Sequence, residues 1–467
     1  MRLSSHYRQV NPMRQPSTLP QISPHAAGVD IGAHSHFAAA PPGSDPQGQD
    51  VREFEAFTAD LYALADWLAA CAVTCVAMES TGVYWIPLFQ ILEERGFDVR
   101  LVDPRRMKHV PGRKTDVVDC QWIQQLHSFG LLDGAFRPSD QIVVLRGFLR
   151  QRAMLLRSCA QHIQHIHKSL EQMNLKLHLV VSNIVGVTGL RIIRTLLAGE
   201  RDPLKLAALR DRRCKNDVAT IARALHGHYR LDLLFALRQA VELFDLYQTK
   251  VAECDKEIEA VLASFEDASK GKTLPPPHRK GGSYRNAPAF DARSALFRIS
   301  GTDLTRVEGI DTSIALTLIS EIGLDMARWP SEKHFASWLG LCPGSKVSGG
   351  KVLSSRTKLC ANRAATAFRL AANGLHNSHS ALGAFFRRMK ARLGTPKAIT
   401  ATAHKIARLV YRLLRFGEDY IQVGEEEYER RHRARTVRSL ERRAHSLGFV
   451  LHPAPGSPGL SAEPAYS

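Results

Sequence analysis

From Ala27 to Leu132 short runs of β-type residues alternate with stretches whose apolar positions recur at three and four, the pattern of an α/β domain. AGVDIG, HFAAAPPG and VREFEAF read as three strands and DLYALADWLAACA as a helix. TCVAMES then reads as a strand, YWIPLFQILEERG as a helix, DVRLVDP as a strand, and Arg105 to Leu132 as a closing helix. Three strands, helix, strand, helix, strand, helix is the order of a ribonuclease-H-like fold.

From about Ile142 to Phe265 the apolar spacing is helical throughout, with no strand-like alternation. LFALRQAVELFDLYQTKVAECDKEIEAVLASF predicts a long antiparallel or coiled-coil arm, and ERDPLKLAALRDRRCKNDVATIARAL adds a basic helix. Residues 266 to 290, with PPPHRKGGSYRNAP, predict a flexible linker. Beyond it, VEGIDTSIALTLISEIG has helix, glycine turn, helix character. It fits a helix-hairpin-helix whose turn amides contact DNA phosphates, and equally an ordinary helical hairpin. The expected organisation is a disordered basic tail at 1–25, an α/β catalytic domain at 26–140, a helical region at 141–265, a linker at 266–296, an α-helical C-terminal domain at 297–424, and a basic helix with a disordered tail at 425–467.

A chain of 467 residues has room for two or three independent cores. The eight cysteines are scattered without CxxC or Cys/His spacing, which points to a reducing, cytoplasmic setting rather than a disulfide or zinc framework. No apolar run reaches the ~18 residues of a membrane span, and the basic N-terminal stretch lacks the apolar core of a secretory signal. A formal charge of +18 and a pI near 9.7 call for a polyanionic partner. The charge is clustered at Arg105 to Lys114, Lys346 to Arg363, Arg387 to Arg415 and Arg430 to Arg443, which favours nucleic acid over general solubility.

Candidate chemistry begins with carboxylates. Asp30 ends the first strand and Glu79 the fourth, so both can project from one edge of a sheet, while Asp116 and Asp119 share one face of a helix. Four converging carboxylates need divalent cations to neutralise them, and hard oxygen ligands select Mg²⁺ or Mn²⁺ over Zn²⁺. Two such ions about 3.5 to 4 Å apart would serve phosphoryl transfer on nucleic acid. Individually the signals are weak: Asp116 and Asp119 can also cap a helix or pair with Arg113 and Lys114. The strand followed by Asp-x-Gly also opens actin-like sugar kinases, but their second Gly-rich phosphate loop and later glycine pair have no counterpart in a strand context.

A second candidate is WLGLCPGSKVSGGKVLSSRTKLCANRAATAFRLAA, which surrounds Ser348 with glycines and with Lys346, Lys351, Arg356, Lys358 and Arg363. A serine on a flexible basic loop can approach a phosphate closely, although spacing alone favours a surface turn.

Together GVDIGAHSH, AMESTGVYW, LVDPRRMKHVPGRKTDVVDCQWIQQL, VEGIDTSIALTLISEIG, FASWLGLCPGSKVSGGKV and NRAATAFRLAA resemble the DEDD transposases of insertion sequences, the one-ten family with its eleven-eleven subgroup. The resemblance runs from about Ala26 to Tyr420. It implies a catalytic domain similar to RuvC junction nucleases, with Mg²⁺ held by Asp30, Glu79, Asp116 and Asp119, and a serine nucleophile at Ser348. It implies donor and target DNA as substrates, a structured bridge RNA as guide, and a homodimer or homotetramer in which one subunit's carboxylates meet another's serine. The long helical middle and the linker depart from shorter family members, which bears on domain spacing and RNA contacts. Two other readings stay open: a RuvC-like, structure-selective endonuclease using metal-activated water, and a non-enzymatic nucleic-acid-binding protein.

Overall fold

A computed structural model of the chain describes residues 20–102, 115–132, 134–277, 286–358, 362–417 and 425–452. Its contacts divide into two compact units, Met1–Arg137 and Pro138–Ser467.

The first unit follows the order read from the sequence: β1 (Ala26–Ile31), β2 (Ser35–Ala39), β3 (Val51–Glu55), α1 (Thr58–Ala70), β4 (Cys75–Glu79), α2 (Trp85–Glu94), β5 (Asp98–Val102) and α3 (Asp116–Ser128). The five strands form one sheet in the order β3-β2-β1-β4-β5. The β1–β2–β3 ladder is antiparallel, whereas β1, β4 and β5 are parallel. The mixed sheet explains the two kinds of strand pattern. Central β1 and β4 are covered on both faces and read as continuous apolar runs, while edge strand β3 is half-buried and partly polar. On one face Leu61, Leu64 and Leu68 of α1 and Leu88 and Leu92 of α2 pack against Val29, Ile31, Val76 and Met78. On the other, Ile123 of α3 packs with Ala77 and Val102. This mixed α/β unit followed by helices is consistent with a ribonuclease-H-like domain.

The second unit opens with α4 (Asp140–Gln172), α5 (Leu177–Val180), α6 (Val187–Leu197), α7 (Pro203–Ala208), α8 (Val218–Ala224) and α9 (Leu231–Ser264). The long helices α4 and α9 run antiparallel. Arg152 meets Asp255, Leu155 packs with Val251 and Cys254, Gln248 Nε2 approaches Cys159 Sγ at 3.0 Å, and His162 stacks on Tyr247. At the far end of this arm α5 to α8 complete a separate core around Ile166, Leu170, Ile193, Leu196, Ile221 and Phe244. Near its start, Arg146 Nε donates to the Ser320 carbonyl at 2.9 Å and Arg150 pairs with Glu321 at 2.8 Å.

The remainder comprises α10 (Ala292–Ser300), α11 (Thr312–Ile322), α12 (Glu332–Trp338), β6 (Lys346–Ser348), β7 (Lys351–Ser354), α13 (Arg363–Asn373), α14 (Ala381–Leu393), α15 (Thr395–Phe416) and α16 (Glu425–Ser446). Phe335 and Phe368, both fully buried, hold α12, α13 and α15 together with Trp329 and Tyr411. The region expected to be an α-helical domain with a basic loop at Ser348 therefore contains a β-hairpin. The stretch expected to be a flexible linker is tied down at its described ends, because arginine side chains satisfy two of its backbone carbonyls and its own backbone bonds to that of α10. Arg152 reaches the Asn286 carbonyl, Arg293 the Pro275 carbonyl, and Ala268 N donates to Arg298 O. Its last residues already belong to α10.

The Arg152–Asp255 pair sits in the arm with side chains only 8% and 5% exposed, Nε lying 2.5 Å from Oδ1. Asp255 also accepts from Ala289 N at 3.2 Å. Removing one partner strands a buried charge. Asp255→Ala should destabilise the helical unit by about 3–5 kcal/mol, and replacing both partners by apolar residues of similar volume should recover most of that loss. Guanidinium unfolding followed by circular dichroism measures both, and equal losses in the single and double variants would contradict it.

Candidate active site

In β1 the side chains alternate between the two faces of the sheet. Ala27, Val29 and Ile31 enter the core under α1 and α2, which leaves Ala26, Gly28 and Asp30 on the face covered by α3. Gly28 allows α3 to lie directly on the strand: a Cβ there would stand 2.2 Å from Gln124 N and 2.4 Å from the Cys120 carbonyl oxygen. Gln124, itself buried, donates from Nε2 to the Ala26 carbonyl at 3.1 Å and fixes the helix on the strand. Neither residue was singled out in the sequence. A glycine two residues before a strand-ending aspartate was the available signal.

That close approach carries the first turn of α3 to the end of β1. Thr115 caps the helix by accepting from Val118 N at 3.3 Å, and Asp116 and Asp119 both lie in the first turn. Carboxylates there are favoured by the positive end of the helix dipole. One oxygen each from Asp30, Asp116 and Asp119 lie within 4.8 Å of one another, with Asp30 and Asp119 half-buried and Asp116 exposed. Immediately behind them, burial and then the Asp30 charge push the Cys120 thiol up to about 12, so it is an unreactive wall of the site.

Glu79 is placed by strand register. The parallel β1–β4 ladder pairs Gly28 with Ala77 and Val29 with Met78, and its next step sets Asp30 abreast of Glu79. Ala77 faces α3, and Glu79, two residues on, shares that face. The strand end is pinned where Ser80 N and Oγ both donate to the Val102 carbonyl at 3.1 Å. Glu79 is half-buried and stands outside the tight group of three. His36 of the GAHSH segment pairs with Ile31 and faces the apolar core. Burial lowers its imidazole below the usual value, and it takes no part in this face. Arg113 and Lys114 lie outside the described residues.

Ser348, expected on a flexible loop, is the last residue of β6. Gly349 and Gly350, with φ of 54° and 76°, form the two-residue turn to β7. Positive φ at both positions is the requirement of a type I′ hairpin turn, which explains why two glycines stand there. Ser348 pairs with Lys351 and Lys346 with Ser354, so one face of the hairpin carries Lys346, Ser348 and Lys351. Val347 and Val352, 59% and 65% exposed, occupy the other face. Gly344 N donates to Arg356 O at 2.8 Å, closing the base of the hairpin beside Arg356 and Lys358. Arg363 opens α13 behind the Asn362 cap.

The helix-hairpin-helix reading meets a different arrangement. A 3-10 turn at Leu304–Arg306, rather than a regular helix, leads into the glycine turn, and residues 307–310 are buried or half-buried. At Gly309 a Cβ would lie 2.4 Å from the Ala371 carbonyl oxygen. The glycine thus serves packing against α13.

The segments that carry the carboxylates and Ser348 have separate counterparts among known proteins. Residues 27–175 match the family model of the IS110-type DEDD transposase, described as a transposase. Residues 301–381 match that of the transposase IS116/IS110/IS902 family. No curated protein matches the chain. The first match contains all four carboxylates and the second contains Ser348.

If contact between α3 and Gly28 assembles the carboxylates, Gly28→Ala should weaken Mn²⁺ binding, read by electron paramagnetic resonance of free Mn²⁺, at least tenfold. It should also cost about 1–3 kcal/mol of stability through overpacking. Gly147→Ala, in α4 with nothing within 4 Å of its Cβ, should leave Mn²⁺ binding untouched and gain about 0.5–1 kcal/mol. Unchanged Mn²⁺ affinity in Gly28→Ala would remove the positioning role.

Proposed function

The chain belongs to the IS110 family of transposases, enzymes that act on DNA, and on that premise we propose that it cuts and rejoins DNA by divalent-metal-dependent phosphoryl transfer with Ser348 as nucleophile. The observation that carries this reading is the convergence of Asp30, Asp116 and Asp119 at the end of β1, with Glu79 next in register on the same face. Oxygen-only donors at this spacing fit Mg²⁺ or Mn²⁺ better than softer metals. When bound, the cation supplies Lewis-acid stabilisation of charge on phosphate oxygens.

The chain's own residues do the remaining work. Asp30 and Glu79 hold their ligand atoms from rigid strand ends, and Asp116 and Asp119 from a capped helix turn, so none needs to be ordered at the moment of reaction. Ser348 is exposed at the tip of a narrow hairpin, where a phosphodiester can reach Oγ without a backbone clash. As Oγ loses its proton and forms its bond to phosphorus, the phosphorus–oxygen bond to one strand breaks and that oxygen takes up a proton in exchange through solvent, leaving the other strand end joined to the protein. Rejoining reverses the step with a strand hydroxyl as attacker. Lys346, Lys351 and Arg356, with Lys358 and Arg363, neutralise the phosphate.

Sequence choice is assigned to a structured bridge RNA that pairs with donor and target DNA, which gives the excess positive charge two polyanions to bind. A homodimer or homotetramer would bring together two DNA partners. The domain limits proposed from the sequence, 26–140 for the carboxylates and 297–424 for the serine, keep the two catalytic parts on separate segments.

Incubation of purified protein, co-purifying RNA and matching DNA with Mg²⁺ should trap a covalent protein–DNA adduct on denaturing gels. Ser348→Ala should reduce the adduct by at least about 10³-fold, whereas Ser345→Ala retains it. Asp30→Asn should abolish strand breakage without unfolding the protein. Free DNA ends at normal rate from Ser348→Ala would instead establish a nuclease using activated water.

A further inference from the structure

We propose that His167, Glu171 and His178 form a second metal site, of the zinc type, that fastens the end of α4 to α5, independently of the recombination chemistry. His167 and Glu171 stand four apart on the last turns of α4 and therefore share a face. The chain then reverses sharply. Asn174 takes a left-handed conformation with φ of 59°, Leu175 N donates to Leu170 O at 2.8 Å, and Lys176 N donates to Ala224 O at 2.8 Å. Leu175 and Leu177 are fully buried on either side of Lys176, so this turn is held by the core, and it returns His178 over Glu171.

One ligand atom from each of the three side chains lies within 4.8 Å of the others. His178 Nδ1 is 2.9 Å from Glu171 Oε1, and the His167 and His178 rings have centroids 4.7 Å apart. Donors around a tetrahedral zinc, at bonds of 2.0–2.1 Å, are separated by about 3.3 Å, so small side-chain rotations close the site. Glu171 Oε1 is shielded from solvent, yet forms no hydrogen bond of good geometry, even to the nearby imidazole. Such an oxygen wants a partner. The other oxygen, Oε2, is taken by Lys176 Nζ at 2.5 Å. That contact presents the carboxylate as a one-oxygen ligand, in the manner of outer-sphere partners at metal centres.

The donor set decides the metal. Two imidazole nitrogens with one carboxylate oxygen suit Zn²⁺ and disfavour Mg²⁺, the opposite preference from the oxygen-only group at Asp30. All three residues are half-buried, and with three protein ligands a water would complete a tetrahedral ion. The role assigned here is structural: the metal would cross-link a helix end to the segment following a tight turn.

The full-length protein, stripped with chelator, is titrated with Zn²⁺ against a chromophoric competitor in excess Mg²⁺, which keeps oxygen-only sites occupied. Wild type should bind one Zn²⁺ per chain tightly enough to raise its melting temperature. His178→Gln and Glu171→Gln should each weaken that binding tenfold or more and abolish the thermal shift. Asp30→Asn should keep both. Helical circular dichroism and metal-free melting confirm that the variants fold, since His178 contributes little to the core around it. Equal zinc affinity in wild type and His178→Gln, or no zinc bound at micromolar concentration by folded wild type, would overturn the site and leave a plain His–Glu contact.

Discussion

The contact on which the carboxylate face depends is between backbones: α3 lies against β1 at Gly28, with Gln124 N and the Cys120 carbonyl where any side chain would be. Three acidic side chains within 4.8 Å repel each other, so they must be held by something stronger than their mutual electrostatics. Here it is the packing of Ile123 with Ala77 and Val102, and the buried Gln124 bond to the Ala26 carbonyl. Cys120 registers the result: its thiol is pushed up by burial and further by the Asp30 charge that the same packing brings close.

Much of this was legible in the sequence because it is local. Strand and helix order followed from periodicity, Asp30 and Glu79 from their positions at strand ends, and the shared face of Asp116 and Asp119 from spacing. Gly28 and Gln124 were not legible, since their importance lies in a contact between residues nearly a hundred positions apart. The hairpin at Ser348 was within reach: GG between KVS and KV is a strong type I′ signal, but a segment rich in Ser and Gly also fits a surface turn. The anchoring of residues 266–277 and 286–296 depends on the Arg152 and Arg293 side chains and on a backbone bond from Ala268 to Arg298, which no local pattern discloses. Likewise QHIQHIHKSLEQ read only as helix, because the third member of its His/Glu group arrives after the Asn174 turn.

Within the second unit α4 serves as the common frame. Its first turns are tied to α11 through Arg146 and Arg150, its middle to α9 through Arg152 and Asp255, and its end to the α5–α8 core through Ile166 and Leu170. A buried ion pair contributes little net stability compared with apolar packing, but it penalises any sliding of α4 against α9 that would separate the charges. Helices of 33 and 34 residues would otherwise have several nearly equivalent apolar registers.

Charge makes opposite demands on the two segments proposed to be catalytic. The hairpin of Lys346, Ser348 and Lys351 attracts a phosphodiester without assistance, whereas the face of Asp30, Asp116 and Asp119 repels it. The positive end of α3, equivalent to about half a unit charge, offsets only a small part of that repulsion. On the proposed assignment, four carboxylates carry as much negative charge as two divalent cations carry positive. Metal loading would therefore turn a repellent surface into a neutral one before any bond is broken. On that assignment a metal requirement would begin with DNA approach, and the net charge of +18 would not substitute for it, because distant lysines and arginines are screened over about 8–10 Å while the carboxylates act at contact.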